Sequence, residues 1–257
     1  MKSTEFSVKT IIKKLVNHYG LPAFLFTEID PLNFNITSDA KFIHVQLIPY
    51  DHYTKLSNYI ELGKKVYVFE DLWRSHEEIV ASKFSWFAKM HDKIDARNCT
   101  AIKVSETDAT VFLNRFHLMN YAKSTYHYAL IFEKQICAIA SFSHGRKMNR
   151  LPEGKLGYEL VRFATLPNLS ITGGMSKLIS KFAEEVKPGD IMTYIDPLTG
   201  ETKGLKKIGF KEIETTKPVQ LYVDILTHQR LHKINKETKN AIEFLTLGNS
   251  KLVKTFV

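Results

Sequence analysis

Apolar residues recur at helical spacing near the start of the chain, at Val8, Ile11, Ile12, Leu15 and Val16, and Gly20 with Pro22 ends the pattern. The segments FIHVQLI (42–48) and VYVFE (66–70) are dense in β-branched and aromatic residues and read as strands. Between them residues 51–62 read as a helix stopped by Gly63. Ser75 followed by Glu78 has the spacing of a capping box for a helix over SHEEIVASKFSWFAKM. The β-α-β-α succession predicts a small α/β layer over residues 1–95.

The pattern restarts near residue 96. AIKVS (101–105) reads as a strand, and Thr107 or Asp108 is placed to cap a helix running to Phe116. TYHYALIFE (125–133) and ICAIASFS (136–143) read as antiparallel strands turning at Lys134-Gln135. The polar stretch HGRKMNRLPEGK is a loop, followed by a strand over LGYELVRFATL (156–166). GGMSKLISKFAEEV (173–186) reads as a helix closed by Lys187-Pro188-Gly189, and DIMTYID (190–196) as the next strand. A short helix over 202–208 meets Gly209-Phe210, and VQLYVDI (219–225) is the last strand expected. The fold class is therefore α/β (α+β). A mixed, mostly antiparallel sheet flanked by helices is expected over 96–226, after a small N-terminal α/β layer and before a basic extension over 227–257.

Composition narrows the partners more than the fold. A length of 257 residues suits one large domain or two modest ones, and 44% hydrophobic with 25% charged residues is ordinary for a globular chain. The formal net charge of +9 favours anionic partners. Cys99 and Cys137 have neither metal-type nor disulfide-framework spacing, so buried reduced thiols and a cytoplasmic compartment are expected. No stretch approaches the ~18 apolar residues that span a bilayer, so no membrane partner is expected, and no metal either.

Candidate chemistry gathers around Gly173 and Gly174, which open a helix after a strand and a short loop. Free N–H groups at a helix start attract phosphate oxygens, and glycine lets the backbone approach a diphosphate closely. The run ELVRFATLPNLSITGGMSKLI, then IMTYID and GLKKIGF, resembles the motifs of the GNAT acyl-CoA N-acyltransferases. More narrowly, YELVRF, GGMSKL, TYID and KKIGF look like a phage- and bacterium-borne group with GNAT-like C-terminal halves, near the Mom-type DNA-modifying proteins. VYVFEDLWRSHEEIVASKF, IDARNCTAIKVS and LGNSKL are similar to that group as well, so the resemblance spans about residues 64–252 as scattered motifs.

The resemblance implies a strand that splays from its neighbour to admit acyl-CoA (acetyl-CoA or another), with the diphosphate held by the turn before the following helix. Carried over by position, Thr172, Gly173, Gly174, Met175, Ser176 and Lys177 occupy that turn; Arg162, by its own chemistry, is a candidate phosphate contact or a partner for Glu159. Glu159 stands where a base could deprotonate the attacking amine, its other reading being a partner for Arg162. The tyrosine that protonates the leaving thiolate is replaced by Leu205, which makes Tyr194 and Asp196 the nearest substitutes. His127 and His144 read as satisfied or surface histidines, and Tyr121, Tyr126 and Tyr128 as packing or stacking aromatics.

The same group of proteins carries nuclease segments of the very-short-patch repair type, which need two acids and a lysine around a metal. Here Asp39, Glu70 and Asp71 are present, but Ile48 stands where the lysine belongs. A nuclease-like layer that has lost its site, or an unrelated α/β layer, follows. The alternative to acyl transfer is a degenerate GNAT-like protein that holds nucleic acid through Arg146, Lys147, Arg150, Arg230, Lys233 and Lys236.

Overall fold

The computed structural model describes residues 6–38, 41–60, 65–234, 238 and 240–256. The chain forms two compact units, each assembled from separated segments. The first comprises Met1–Met90, Pro197–Thr199 and Lys217–Gly248; the second His91–Asp196, Gly200–Thr216 and Asn249–Val257. The stretch expected to be a basic extension is thus divided, residues up to 248 going to the first unit and the rest to the second.

In the first unit, α1 (Val8–Asn17) is capped by Ser7, whose Oγ accepts the Thr10 N–H at 3.3 Å, and it buries Val8, Ile11 and Leu15. Strands β1 (Phe26–Asp30), β2 (Asn33–Ser38), β3 (Lys41–Ile48) and β4 (Lys65–Phe69) form one sheet in that order, with β3 and β4 parallel. The first two strands escape a periodicity reading because Asn, Thr and Glu dilute their apolar positions. The helix expected over 51–62 is, among the described residues, a 3-10 helix over Tyr50–Asn58 broken at Lys55. Gly63 lies outside the described residues.

Helices α2 (Glu70–Ser75) and α3 (Glu77–Phe87) follow. The capping box is not made. Ser75 Oγ donates to the Asp71 carbonyl at 2.7 Å, one turn back in α2, and His76, whose Nδ1 meets the same hydroxyl at 2.7 Å, holds the cap position of α3 without a capping side-chain bond.

The second unit begins with β5 (Asp92–Asp95), β6 (Thr100–Lys103) and α4 (Glu106–Phe116). Ser105 caps α4, not Thr107 or Asp108: its Oγ accepts the Asp108 N–H at 3.1 Å. There follow β7 (Tyr126–Phe132), β8 (Gln135–Phe142), β9 (Gly157–Thr165), β10 (Leu169–Thr172), α5 (Gly174–Val186), β11 (Asp190–Ile195), α6 (Lys203–Lys207) and β12 (Lys211–Thr215). The chain then returns to the first unit as an antiparallel sheet of β13 (Gln220–Asp224), β14 (Arg230–Leu231) and β15 (Ala241–Leu245), ordered β14-β13-β15. The expected last strand is therefore followed by three more. The final one, β16 (Ser250–Thr255), belongs to the second unit.

The sheet of the second unit runs β12-β16-β11-β9-β8-β7-β6, and its only parallel pair is β9 with β11. It is the mixed, mostly antiparallel sheet expected from the sequence, with a helix packed on either face. Leu178, Ile179 and Phe182 of α5 meet Tyr128, Leu130, Phe142, Leu160 and Ile191 on one side. Ala109, Phe112 and Leu113 of α4 meet Ala129, Ile139 and Ala164 on the other. Phe142 and Phe182 stack with centroids 4.0 Å apart, fixing α5 over the middle of the sheet. Both cysteines are buried free thiols, and burial pushes the Cys137 thiol up to about 12. Among the described residues, no helix is long and apolar enough to cross a membrane.

Candidate functional site

Strands β9 and β11 pair over three positions only, Gly157 with Asp190, Tyr158 with Ile191 and Glu159 with Met192. Beyond these, β9 continues along β8 and β11 continues along β16, so the two strands part. Parting takes main-chain groups out of the ladder, and buried ones need other partners. The carbonyl of Leu160 receives the Thr193 hydroxyl at 3.0 Å, and Thr193 is buried. The same stretch of β9 carries a bulge. Phe142 faces Leu160 and Ser141 faces Arg162, which leaves Val161 as the extra residue.

Short β10 pairs in parallel with β5 and delivers the chain to the start of α5. Gly173 takes φ +77°, a left-handed turn that glycine enters without steric cost. Gly174 is buried: a Cβ there would lie 2.9 Å from Ile171 Cγ2 and 3.3 Å from Leu130 Cδ1. No side chain caps the helix, and its first internal bond runs from the Lys177 N–H to the Gly173 carbonyl at 2.9 Å. The N–H groups of Gly174, Met175 and Ser176 thus head the helix without a capping side chain, beside the exposed Thr172 and Gly173. An anionic group of diphosphate size suits such a start.

Lys177 is placed differently from its expected role. Its ammonium donates to the carbonyls of Ala96 and Cys99 at 2.9 and 2.6 Å, tying α5 to the segment after β5. Met175 packs against the core of the α5 face. Arg162 is likewise occupied. Its guanidinium donates to the carbonyls of Asn120 and Val161, each at 2.9 Å, and of Met119 at 3.4 Å. It braces the loop after α4, and burial depresses its pKa while Glu159 opposes. The expected phosphate contact by Arg162 is not available in this arrangement.

Glu159 and Tyr194 share one side of the sheet. Glu159 is in register with Met192, and their neighbours Tyr158, Leu160 and Ile191 all belong to the α5 core, so the alternating residues point away from α5. Glu159 is partly exposed, and its N–H donates to Ser143 Oγ at 3.0 Å. Tyr194 is 37% exposed, and its hydroxyl has only a distant contact with Met192 Sδ at 3.9 Å. Asp196 follows β11 half-buried, its carbonyl closing a turn with the Gly200 N–H at 2.9 Å. Leu205 is buried in the α5 core, as a leucine at that position should be.

His127, Ser141 and Arg162 form a row across β7, β8 and β9 on the α4 side. His127 Nδ1 bonds Ser141 Oγ at 3.0 Å, and burial lowers the imidazole pKa, with Glu106 opposing. His144 is exposed on the following loop. Tyr126 and Tyr128 pack edge-on against Phe182, and Tyr128 donates to Glu185 at 2.8 Å, so both are framework residues. Tyr121 donates to Glu106 at 2.9 Å. Neither the row nor the Thr193 tether was visible from spacing, since both depend on strand register.

The proposed nucleic-acid residues are divided between the two units. Arg146, Lys147 and Arg150 lie on the loop of the second unit, Arg230 and Lys233 in the first, and Lys236 outside the described residues. Arg230 is only 5% exposed: it clamps the fully buried Asp71 through Nε at 2.6 Å and a second nitrogen at 3.1 Å, over the rings of Phe69 and Phe244. Tyr53 donates to the same carboxylate at 2.5 Å. Glu70 is held by Arg74 and the Tyr50 N–H. The two acids considered for a nuclease centre are therefore both engaged by arginines, and Asp39 lies outside the described residues. Arg150 pairs with the buried Asp190 at 2.6 Å.

Comparison with known proteins gives no matching family model and no matching curated protein. Among solved structures the chain is similar to Arabidopsis thaliana Naa50 in complex with the bisubstrate analogue CoA-Ac-MVNAL, at 12% identity and a TM-score of 0.42, covering 62% of this chain and 99% of that one. It is similar to a GNAT family acetyltransferase from Elizabethkingia anophelis with acetyl-CoA bound, at 12% identity, the same coverage and a TM-score of 0.37. An IAA acetyltransferase from Bacillus cereus gives 11% identity, again 62% and 99% coverage, and a TM-score of 0.37.

Proposed function

We propose that the second unit is a GNAT-like N-acyltransferase that moves an acyl group from acyl-CoA to an amine. The observation that carries this reading is the three-residue limit on β9–β11 pairing next to an uncapped glycine helix start. A gap between strands and a helix start without a capping side chain support this reading, since a thioester with a diphosphate needs a cleft and free amides.

The amides of Gly174, Met175 and Ser176 are the groups that would hold the diphosphate. The bound donor supplies an activated thioester carbonyl. The bulge at Val161 offers main-chain N–H density beside the gap to polarise that carbonyl. Glu159 takes the proton of the attacking amine, directly or through water. Transfer forms a carbon–nitrogen bond and breaks the carbon–sulfur bond, and the leaving thiolate needs a proton. Leu205 cannot give one, and the exposed Tyr194 hydroxyl on the Glu159 side can. The competing reading, a degenerate nucleic-acid-binding protein, loses Arg230 to an internal ion pair.

The test is acetyl-CoA binding by the whole chain. Millimolar acetyl-CoA raises Tm, and substituting Gly174 by a bulky residue removes the rise. An unchanged Tm at that concentration overturns the reading.

A further inference from the structure

Building on the acyl-transfer reading, we infer that the acceptor amine belongs to a phosphate-bearing substrate, held on the sheet face turned away from α5. Helix α4 covers that face only over β7, β8 and β9. Beyond β9 the same face is made by β11, β16 and β12. The register aligns Glu159 with Met192, Met192 with Val253, and Tyr194 with Lys251. Met192 and Val253 are buried there, so the accessible part of this face is its Tyr194 end.

Cations border this face. Arg146 exchanges both main-chain bonds with Gly157 at 2.9 Å, so its side chain shares the side of Gly157 and, two residues on, of Glu159. Arg146 and Lys147 are exposed, and among the described residues no carboxylate engages either. Arg150 gives one nitrogen to Asp190 and remains one-third exposed. Lys251, opposite Tyr194 in the register, is held by Glu214 at 2.6 Å. Arg146 and Arg150 therefore keep donors to spare on the loop that borders the Glu159 end of the gap.

A phosphate dianion matches that arrangement, because a guanidinium fork binds phosphate oxygens through two donors. A phosphate-free amine gains nothing from it, and a polyamine is repelled.

The experiment compares amine pairs that differ by a phosphate, using the full chain and acetyl-CoA: ethanolamine with O-phosphoethanolamine, and adenosine with its 5′-monophosphate, with spermidine as the cationic arm. Coenzyme A release is expected to show kcat/KM about ten-fold or more higher for the phosphate member, the size of one charge-assisted contact. Arg146→Ala lowers that value by a similar factor. Calorimetry with O-phosphoethanolamine gives a second readout, saturable for the native chain and weakened by Arg146→Ala. A short single-stranded oligonucleotide that outcompetes the monophosphate identifies a polymer as the source of the phosphate. Equal rates for both members of each pair, or preference for spermidine, overturn the inference while leaving acyl transfer intact. Absence of any release, with no Tm rise on adding acetyl-CoA, removes the acyltransferase reading and this inference with it.

Discussion

Thr193 Oγ1 donates to the Leu160 carbonyl at 3.0 Å, just past the last paired position of β9 and β11. The hydroxyl replaces a ladder bond that the parting of the strands removes. Thr193→Val keeps the shape and leaves a buried carbonyl unsatisfied, at a cost of about 1–3 kcal/mol. Urea denaturation should show that loss, Thr193→Ser should recover most of it, and acetyl-CoA affinity should fall with the valine variant.

The two glycines of the turn should respond differently. Gly173 has room for a Cβ, its nearest contact being 3.7 Å, so Gly173→Ala carries mainly the left-handed backbone penalty of about 1–2 kcal/mol. Gly174→Ala pushes a methyl against Ile171 and Leu130 and should cost about 1–3 kcal/mol by overpacking. Calorimetric titration with CoA should show the larger affinity loss for the Gly174 variant, because the push displaces the amides at the head of α5.

Leu205→Tyr tests whether a proton donor can be restored at the position the resemblance points to. Leu205 is buried among α5 and sheet residues, so the larger ring should destabilise by about 1–3 kcal/mol without raising turnover. Tyr194→Phe, by contrast, should lower kcat with little change in Tm, since the Tyr194 hydroxyl makes only a distant contact.

The Asp71–Arg230 pair joins α2 to the β13–β15 sheet inside the first unit. Removing one partner leaves an uncompensated buried charge, so Arg230→Met should destabilise by about 3–5 kcal/mol. Asp71→Asn added to it should recover part of that. A chemical-denaturation cycle over the two single variants and the double variant measures the coupling.

Acid should weaken the fold through two histidines. Burial lowers the pKa of His127, and burial with Arg74 lowers that of His228. Below the ordinary imidazole value of 6.5 the unfolded chain takes up protons that the folded chain resists. Stability is therefore complete above that value and declines as pH falls through it. His127→Asn should flatten the decline measured by Tm against pH, leaving the His228 part.

Periodicity located the elements with strong apolar rhythm, and α5, β7, β8, β9 and β11 lie within a residue or two of their expected bounds. It missed β1, β2, β5, β10, β12, β14, β15 and β16, which are short or interleave their apolar residues with Asn, Asp, Ser, Thr, Glu or Lys. Strands of that kind are specified by the partner they meet, and a partner distant in sequence leaves no local trace. Site chemistry divided the same way. The glycine turn was legible because φ above zero restricts residue type. The ties of Lys177, Arg162 and Arg230 to internal acceptors were not, since a basic residue looks the same in sequence whether it faces water or a buried carbonyl.

Strand β16 lies between β11 and β12, an interior place for a segment made after both. While residues 250–255 are still being synthesised, β12 has no neighbour to hold and β11 keeps an open edge. Such an edge invites pairing with other chains. A nascent protein interrupted before residue 249 would therefore be a nucleus for aggregation rather than a shortened but folded chain, and adding the missing strand as a separate peptide is the natural way to rescue it.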